Sequence, residues 1–527
     1  MDRESNIDSI LVLDAEIIRL KRSRNSLLNI ARVPPEILGK IFYLNVMPEF
    51  SVTHFPEIQA GSYNFLLVCH RWFEVARCTP ELWSFWGNSL EDWGRRYLRS
   101  GTAPLDLVLN TYRSENRSGS LDEALRDVLR DRTAHDAIRT VHLTGPEDLL
   151  ATIISLLTPD GEDIKHSSIK SIDLSCVDAS DFFARQRFPK LRDLHLTRKL
   201  RISSWDHLKS HTMGLTSLSF FSDTTPIPTA SQILSLLAVN PNIRTLELGL
   251  EIEDDGGRDS TFRVPLRHLE WLSLEGNIHH VFSILHRLEL PEKVDDTTLE
   301  FYDCTLKEIR EIIGPYIRDY LRREDRLGIS LSSTDPLSLH ASAIGTRRHG
   351  PDRLPQQGPP RAKFLATLAE YVSRDEQEKL YTDILAFFPR ERVVYFKTDL
   401  HMGVVEELLI AMDNIESLHL ISPVVSEGFL LPNPNGPNAH TKLLPSLQLL
   451  YLEQARASDW NWDPLITYLT HQTSGNQAIS LSVSGDGLHI CSGLVKQIDD
   501  LVEEFVYKPD PEGECPFEKR RTNRNYR

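Results

Sequence analysis

The residues whose types and spacing come closest to a chemical constellation are His279, His280 and His286, a clustered imidazole set of the kind that holds transition metals. They lie in an apolar, helix-like stretch, HHVFSILHRLEL, with no carboxylate or thiolate set to complete a ligand shell, so they read as packing or surface histidines and no metal is expected. The acidic run EIEDDGGRD, Glu251 to Asp259, lacks the length and closing glutamate of an EF-hand loop and reads as a solvated turn. Cys69, Cys78, Cys176, Cys304, Cys491 and Cys515 are scattered, without a CxxC pair, and fit small buried hydrophobes in a reducing compartment. There is no GxxxxGK phosphate loop, no GxSxG elbow, no HExxH and no strand-linked GxGxxG. Each of those motifs needs its spacing for a physical reason, so their absence argues against an enzyme. No catalytic residue and no cofactor is expected.

Composition points the same way. The first 100 residues hold 12 Lys and Arg against 12 Asp and Glu, so the formal charge of −16 falls entirely on residues 101–527, with 47 against 63. An acidic body disfavours nucleic acid, whose phosphates require a basic surface. No run of eighteen apolar residues occurs and MDRESNIDSI has neither the basic start nor the apolar middle of a secretory signal, so an intracellular protein, in the cytoplasm or the nucleus, is expected and no membrane.

The elements that stand out are two short segments near the start. In VPPEILGKIF, Val33 to Phe42, the prolines suit a first helical turn and Glu36 sits where the helix dipole favours an acid. Ile37, Leu38, Ile41 and Phe42 then form a broad apolar stripe. In the second segment Phe65, Val68, Cys69, Trp72, Phe73 and Ala76 recur at three- and four-residue spacing, and Pro80, Glu81, Leu82 and Trp83 open a further turn. So small a helical unit cannot bury all of this bulk, and an exposed aromatic-rich patch is the mark of a protein interface. Capping of the larger body that follows is the other reading of the same residues.

The order V-P-P-E-I-L-x-x-I-F, then L-V-C-x-R-W, then P-E-L-W resembles the F-box motif, which docks onto the Skp adaptor of cullin-RING ubiquitin ligases. By that resemblance the adaptor-facing residues are Pro34, Pro35, Ile37, Leu38, Ile41, Phe42, Leu67, Val68, Cys69, Trp72, Leu82 and Trp83. Val33 stands where the family usually has Leu. The connection NVMPEFSVTHFPEIQAGS is longer than the family's tight turn and resembles the inserts of fungal F-box proteins. Upstream, Ile10, Leu13, Ile17, Leu20 and Leu27 follow a 3-4 alternation with Arg24 intruding. They predict a helix that either packs back onto the F-box-like region or pairs as a short coiled coil and dimerises the chain.

From about residue 140 the rhythm changes. Apolar-x-apolar triplets recur at VHL141, IDL172, LHL194, LSF218, LEL246, LSL272, LEF299 and ISL329, and later at LHL418, LYL450 and LSV481, counting from the first residue of each. Spacings of roughly 22 to 31 residues with helix-like pieces between suggest a solenoid. The fuller L-x-x-L-x-L pattern at Leu191, Leu194 and Leu196, or Leu269, Leu272 and Leu274, resembles a degenerate leucine-rich repeat. The resulting expectation is an α/β protein in which a small all-α F-box-like module precedes a leucine-rich-repeat horseshoe. Its parts are a helix over 1–30, the helical module over 31–100, connecting helices over 101–139, repeats over 140–508 broken by a surface loop at 334–361, and a tail over 509–527.

Function follows from the resemblance: a substrate-recognition subunit of an SCF-type ligase that binds the Skp adaptor and cullin assembly at one end and a target protein with the repeats. The alternative is a non-ligase repeat scaffold with a helical cap. Period-two alternation puts His195, Ser217, Ser219, Glu247, Ser273, His419 and Tyr451 on the outward, target-facing positions.

Overall fold

The structure, a computed structural model, describes residues 2–46, 63–87, 93–110, 123–157, 168–175, 179–185, 187–197, 201, 204–221, 227–252, 262–291, 294–321, 327–332, 337–343, 362–368, 379, 383, 392–398, 405, 409, 412, 414–421, 444–453, 462–474, 479–484 and 492–508. Most of the long connection after α2, the acidic run after Ile252 and the tail expected after Pro509 lie outside the described residues. The chain divides into two compact units, Met1–Leu269 with His286–Pro291, and Glu270–Leu285 with Glu292–Arg527.

The first unit opens with helix α1 (Asp2–Ser26), followed by α2 (Pro35–Val46) and α3 (His70–Arg77). Pro35 stands at the first helical position of α2, where a missing N–H costs nothing, and the Pro34 carbonyl accepts the first helical bond, from the Leu38 N–H at 3.0 Å. Leu38, Phe42 and Val46, spaced by four, bury one stripe of α2 against Phe65, Val75, Ala76, Leu82 and Trp83. Phe42 stacks on Phe65 at 4.4 Å between ring centroids and meets Trp72 at 5.1 Å. Gly39 makes room for Thr79, because a Cβ would come within 2.7 Å of the Thr79 hydroxyl and force that side chain to shift.

These helices are not a separate all-α module. β1 (Phe85–Gly87) follows Trp83 almost at once and pairs in parallel with β2 (Leu105–Asn110), with helix α4 (Trp93–Ser100) between them in the chain. The stretch 101–139, expected as connecting helices, contains β2 as well as α5 (Glu123–Arg130) and α6 (Arg132–Ala137). The sheet then grows one strand at a time: β3 (Ile138–Thr144), β4 (Ser171–Ser175), β5 (Asp193–Thr197), β6 (Ser217–Phe221) and β7 (Thr245–Leu250), each parallel to the strand before it. The crossovers carry α7 (Glu147–Leu157), α8 (Ser180–Arg185), α9 (Trp205–His211) and α10 (Ala230–Ala238). Within this unit β8 (Val264–Pro265) and β10 (Leu288–Glu289) form a short parallel pair.

Alternation along each strand sorts the side chains. Val141, Leu143, Ile172, Leu174, Leu194, Leu196, Leu218, Phe220, Leu246 and Leu248 are all buried. Trp205 of α9 meets Phe220 edge-on at 4.8 Å. Loop positions are fixed by polar bonds rather than bulk. Gly214 has φ +95°, a conformation that favours glycine. The fully buried Asn240 accepts from the Gly214 and Leu215 N–H groups at 2.7 and 2.9 Å and donates to the Leu236 carbonyl at 2.9 Å. Replacing Asn240 with Ala strips two backbone donors of their acceptor. The expected loss is about 2 kcal/mol, read as a lower urea midpoint at unchanged slope.

The second unit is built on β9 (Trp271–Asn277), β11 (Asp296–Cys304), β12 (Leu327–Ser332), β13 (Leu337–Ala343), β14 (Ala362–Leu368), β15 (Val393–Thr398), β16 (Ser417–Ile421), β17 (Leu449–Glu453), β18 (Ser480–Ser484) and β19 (Glu504–Lys508). Helix α11 (Ile278–Leu285) follows β9 and carries His279 and His280. Pairing runs β9, β11, β14 in parallel, then β14, β13, β12 antiparallel, then β12 and β15 through β19 in parallel. β13 lies within the 334–361 stretch expected to be a structureless loop.

The expected all-α module followed by a leucine-rich-repeat horseshoe is therefore corrected. What is present is α/β architecture on large parallel sheets, with the N-terminal helices running directly into the first sheet and an antiparallel insertion in the second unit. The physical reason is that apolar-x-apolar triplets alternating with helices report strands buried on one face and joined by helical crossovers. Any parallel α/β sheet needs those features, so the period does not specify a solenoid.

Candidate partner-binding surfaces

Of the residues matched to the F-box resemblance, the structure leaves one set exposed and buries another. Ile37 is 52% exposed, Ile41 48%, Leu67 85% and Val68 57%, and Pro34 and Pro35 are exposed as well. Cys69 and Trp72 are half-buried, whereas Leu38, Phe42, Leu82 and Trp83 form the core beneath. Those four are a correction: they support the surface and do not lie on it. Adjacent residues on a helix are about 100° apart, so the pairs Ile37/Leu38 and Ile41/Phe42 each send one side chain inward and one outward. Leu44 and Phe73 extend the exposed apolar set; the sequence pattern puts Phe73 in the amphipathic stripe but not among the adaptor-facing residues, and Leu44 was not singled out from the sequence.

The support is stiff. The Phe42–Phe65 stack ties α2 to the turn Asn64–Leu67, which carries Leu67, and the Arg71 guanidinium donates to the carbonyl of Val33, just before α2. The Trp83 indole N–H donates to the Ala76 carbonyl at 2.9 Å. From α4, Arg99 lies over the Trp83 ring at 4.6 Å and Arg96 over the Tyr63 ring at 4.8 Å.

On the first sheet, the outward positions form a polar row in register: His142, Asp173, His195, Ser219 and Glu247 sit side by side on β3 to β7. One pleat away run Thr140, Ser171, Asp193, Ser217 and Thr245. His142 Nδ1 lies 3.2 Å from Asp173 Oδ2, and the Ser219 hydroxyl donates to Glu247 Oε2 at 2.9 Å. Ser219 and Glu247, expected to face outward, are buried and satisfy each other by that hydrogen bond. His195 and Ser217 are half-buried. His142, Asp173 and Asp193 were missed by sequence reasoning, although the first two are the middle residues of VHL and IDL. Arg139 forms a two-pronged ion pair with the buried Asp106 at the start of this face, Nε to Oδ1 being 3.0 Å.

In the second unit Ser273 stands beside Thr298 in register, away from the other predicted contacts of that unit. His419 and Tyr451 are neighbours on β16 and β17, 5.7 Å apart between ring centroids. His419 Nε2 lies 2.7 Å from Glu453 Oε2, Lys397 Nζ lies 3.7 Å from the same oxygen, and the Tyr395 hydroxyl is 3.4 Å from His419 Nδ1. Burial, reinforced by the Lys397 ammonium, holds the imidazole below its ordinary value near 6.5 against the pull of Glu453. The folded state then binds a proton less readily than the unfolded state. The neutral ring's contribution is complete above about pH 6.5 and is lost as pH falls through the folded value. His419→Gln is expected to flatten the fall in urea midpoint on acidification.

Among the described residues no group of three or more His, Cys, Asp or Glu side chains is placed to hold a metal ion, and His279 instead lies 2.9 Å from Glu308. Burial pushes the Cys304 thiol up to about 12 and keeps it un-ionised. Among the described residues no helix is long and apolar enough to cross a membrane. The chain matches no protein-family model and no curated protein.

Proposed function

We propose that this chain is a substrate-recognition subunit of an SCF-type cullin-RING ubiquitin ligase. It docks a Skp adaptor through the exposed side chains of α2 and the turn after it, and holds a target protein on its sheets. The observation that carries this reading is the exposure of Ile37, Ile41, Leu67 and Val68, all at positions of the F-box resemblance, above a packed core that gives them a fixed bed. A large apolar side chain offers about 1.5–3 kcal/mol on full burial, and a half-exposed one about half of that, to a partner that covers it. The half-buried His142, Asp173 and His195 of the polar row on the first sheet offer the second surface, with imidazoles and a carboxylate for a protein target. On this reading the chain contributes no catalytic group. It raises the local concentration of target lysines around a ubiquitin-charged enzyme, in the cytoplasm or nucleus.

The test is co-purification of the full chain with purified Skp adaptor, followed by reconstitution with the cullin assembly. Stable binding that depends on Ile37 and Ile41 supports the reading. No binding by the wild-type chain returns it to a scaffold protein that assembles no ligase.

A further inference from the structure

Helix α1 carries its own unpartnered seam. Ile10, Leu13, Ile17 and Leu20 are 57%, 63%, 48% and 54% exposed, so the helix does not pack these side chains back onto α2 and α3. Their 3-4-3 spacing is the a and d pattern of a two-stranded coiled coil, with β-branched Ile at both a positions and Leu at both d positions, the choice that favours two parallel strands.

We infer that α1 pairs in parallel with α1 of a second copy of this chain. Charge selects both the occupant and its direction. With Ile10 at a, Glu16 falls at g and Lys21 at the following e, so parallel pairing sets Glu16 of each copy against Lys21 of the other, twice per dimer. In the antiparallel register that aligns the same four apolar residues, Glu16 meets Glu16 and Asp14 meets Asp14, which is repulsive. Glu16 already bridges Arg19 on its own helix at 2.6 Å, yet its side chain is about half exposed and open to a second cation. Arg24, at the next a position, interrupts the apolar seam, and its exposed guanidinium donates to the Asn25 side-chain oxygen at 3.1 Å. With so short a seam the pairing is a concentration-dependent equilibrium. This inference does not depend on adaptor binding.

Sedimentation equilibrium of the full chain tests it. The wild type is expected to dimerise, and Ile17→Asp to remain monomeric. Ile18→Asp, one position off the seam, should dimerise as the wild type does. Lys21→Glu should weaken the dimer roughly tenfold, and Glu16→Lys combined with Lys21→Glu should restore it to within about threefold. A monomeric wild type overturns the inference. So does equal loss in Ile17→Asp and Ile18→Asp, which would mean unspecific apolar association, and so does a Lys21→Glu chain that dimerises unchanged. Circular dichroism of each variant confirms that α1 stays helical, so that a lost dimer reports the seam.

Discussion

Replacing Ile37 and Ile41 together with Asp is expected to lower affinity for a purified Skp adaptor at least 100-fold while leaving the thermal unfolding of the chain unchanged. Both side chains are about half exposed and neither belongs to the packed cluster of α2 and α3, so their removal opens no cavity. In a docked complex each half-exposed side chain would surrender about half of a full burial, about 0.8–1.5 kcal/mol, and a carboxylate in its place would be desolvated without a partner. A 100-fold loss corresponds to about 2.7 kcal/mol, well within the sum. Calorimetric titration read beside a melting curve checks it. Unchanged affinity would remove α2 from the docking surface.

Trp83→Ala is expected to act in the opposite sense, destabilising the first unit by about 3–5 kcal/mol. The indole is 5% exposed, its N–H is bonded to the Ala76 carbonyl, and Tyr63 and Arg99 cover its faces. Ala would leave a cavity beside Leu82, remove one of the donors to the Ala76 carbonyl, which keeps the Thr79 N–H at 3.2 Å, and release α4 from the cluster. Urea unfolding followed by far-UV circular dichroism measures it. Weaker adaptor binding by this variant accompanied by early unfolding would identify Trp83 as support, whereas weaker binding at native stability would place it on the surface.

The distinction between these two substitutions is also where the sequence was hardest to read. Ile37/Leu38 and Ile41/Phe42 are adjacent apolar pairs, and a pattern shows that a stripe exists without showing which member of each pair faces the cluster. Placement of strands was more legible: VHL, IDL, LHL, LSF and LEL all fall within β3 to β7, because a Leu- or Ile-flanked middle residue needs a strand with one buried face. Their assembly was not legible, since the triplets say nothing of curvature. β1 is only three residues long and hides in a Trp-rich stretch that scans as helical bulk, so its place in the sheet left no periodic trace. β13, LSLHASA, does alternate, but it stands in a stretch whose Pro, Gly and Arg content reads as a loop, and its pairing with β12 and β14 rests on backbone bonds that any residue supplies. Ser219 and Glu247 were assigned to the correct face but to the wrong environment, because burial of a polar pair depends on what stands on the next strand.

The short path from α3 into β1 has a mechanical meaning. Between the end of α3 at Arg77 and the start of β1 at Phe85 there is a single turn, Pro80–Trp83, and the Ser84 carbonyl already accepts from the Asp106 N–H of β2 at 2.9 Å. There is no slack in that joint. In a ligase the unit would serve as a jig, holding whatever lies on its sheet at one angle and one reach from the adaptor. Ubiquitin would then land on lysines in a narrow zone of the target's surface, and lengthening the joint with a few glycines would widen that zone as it blurs the aim.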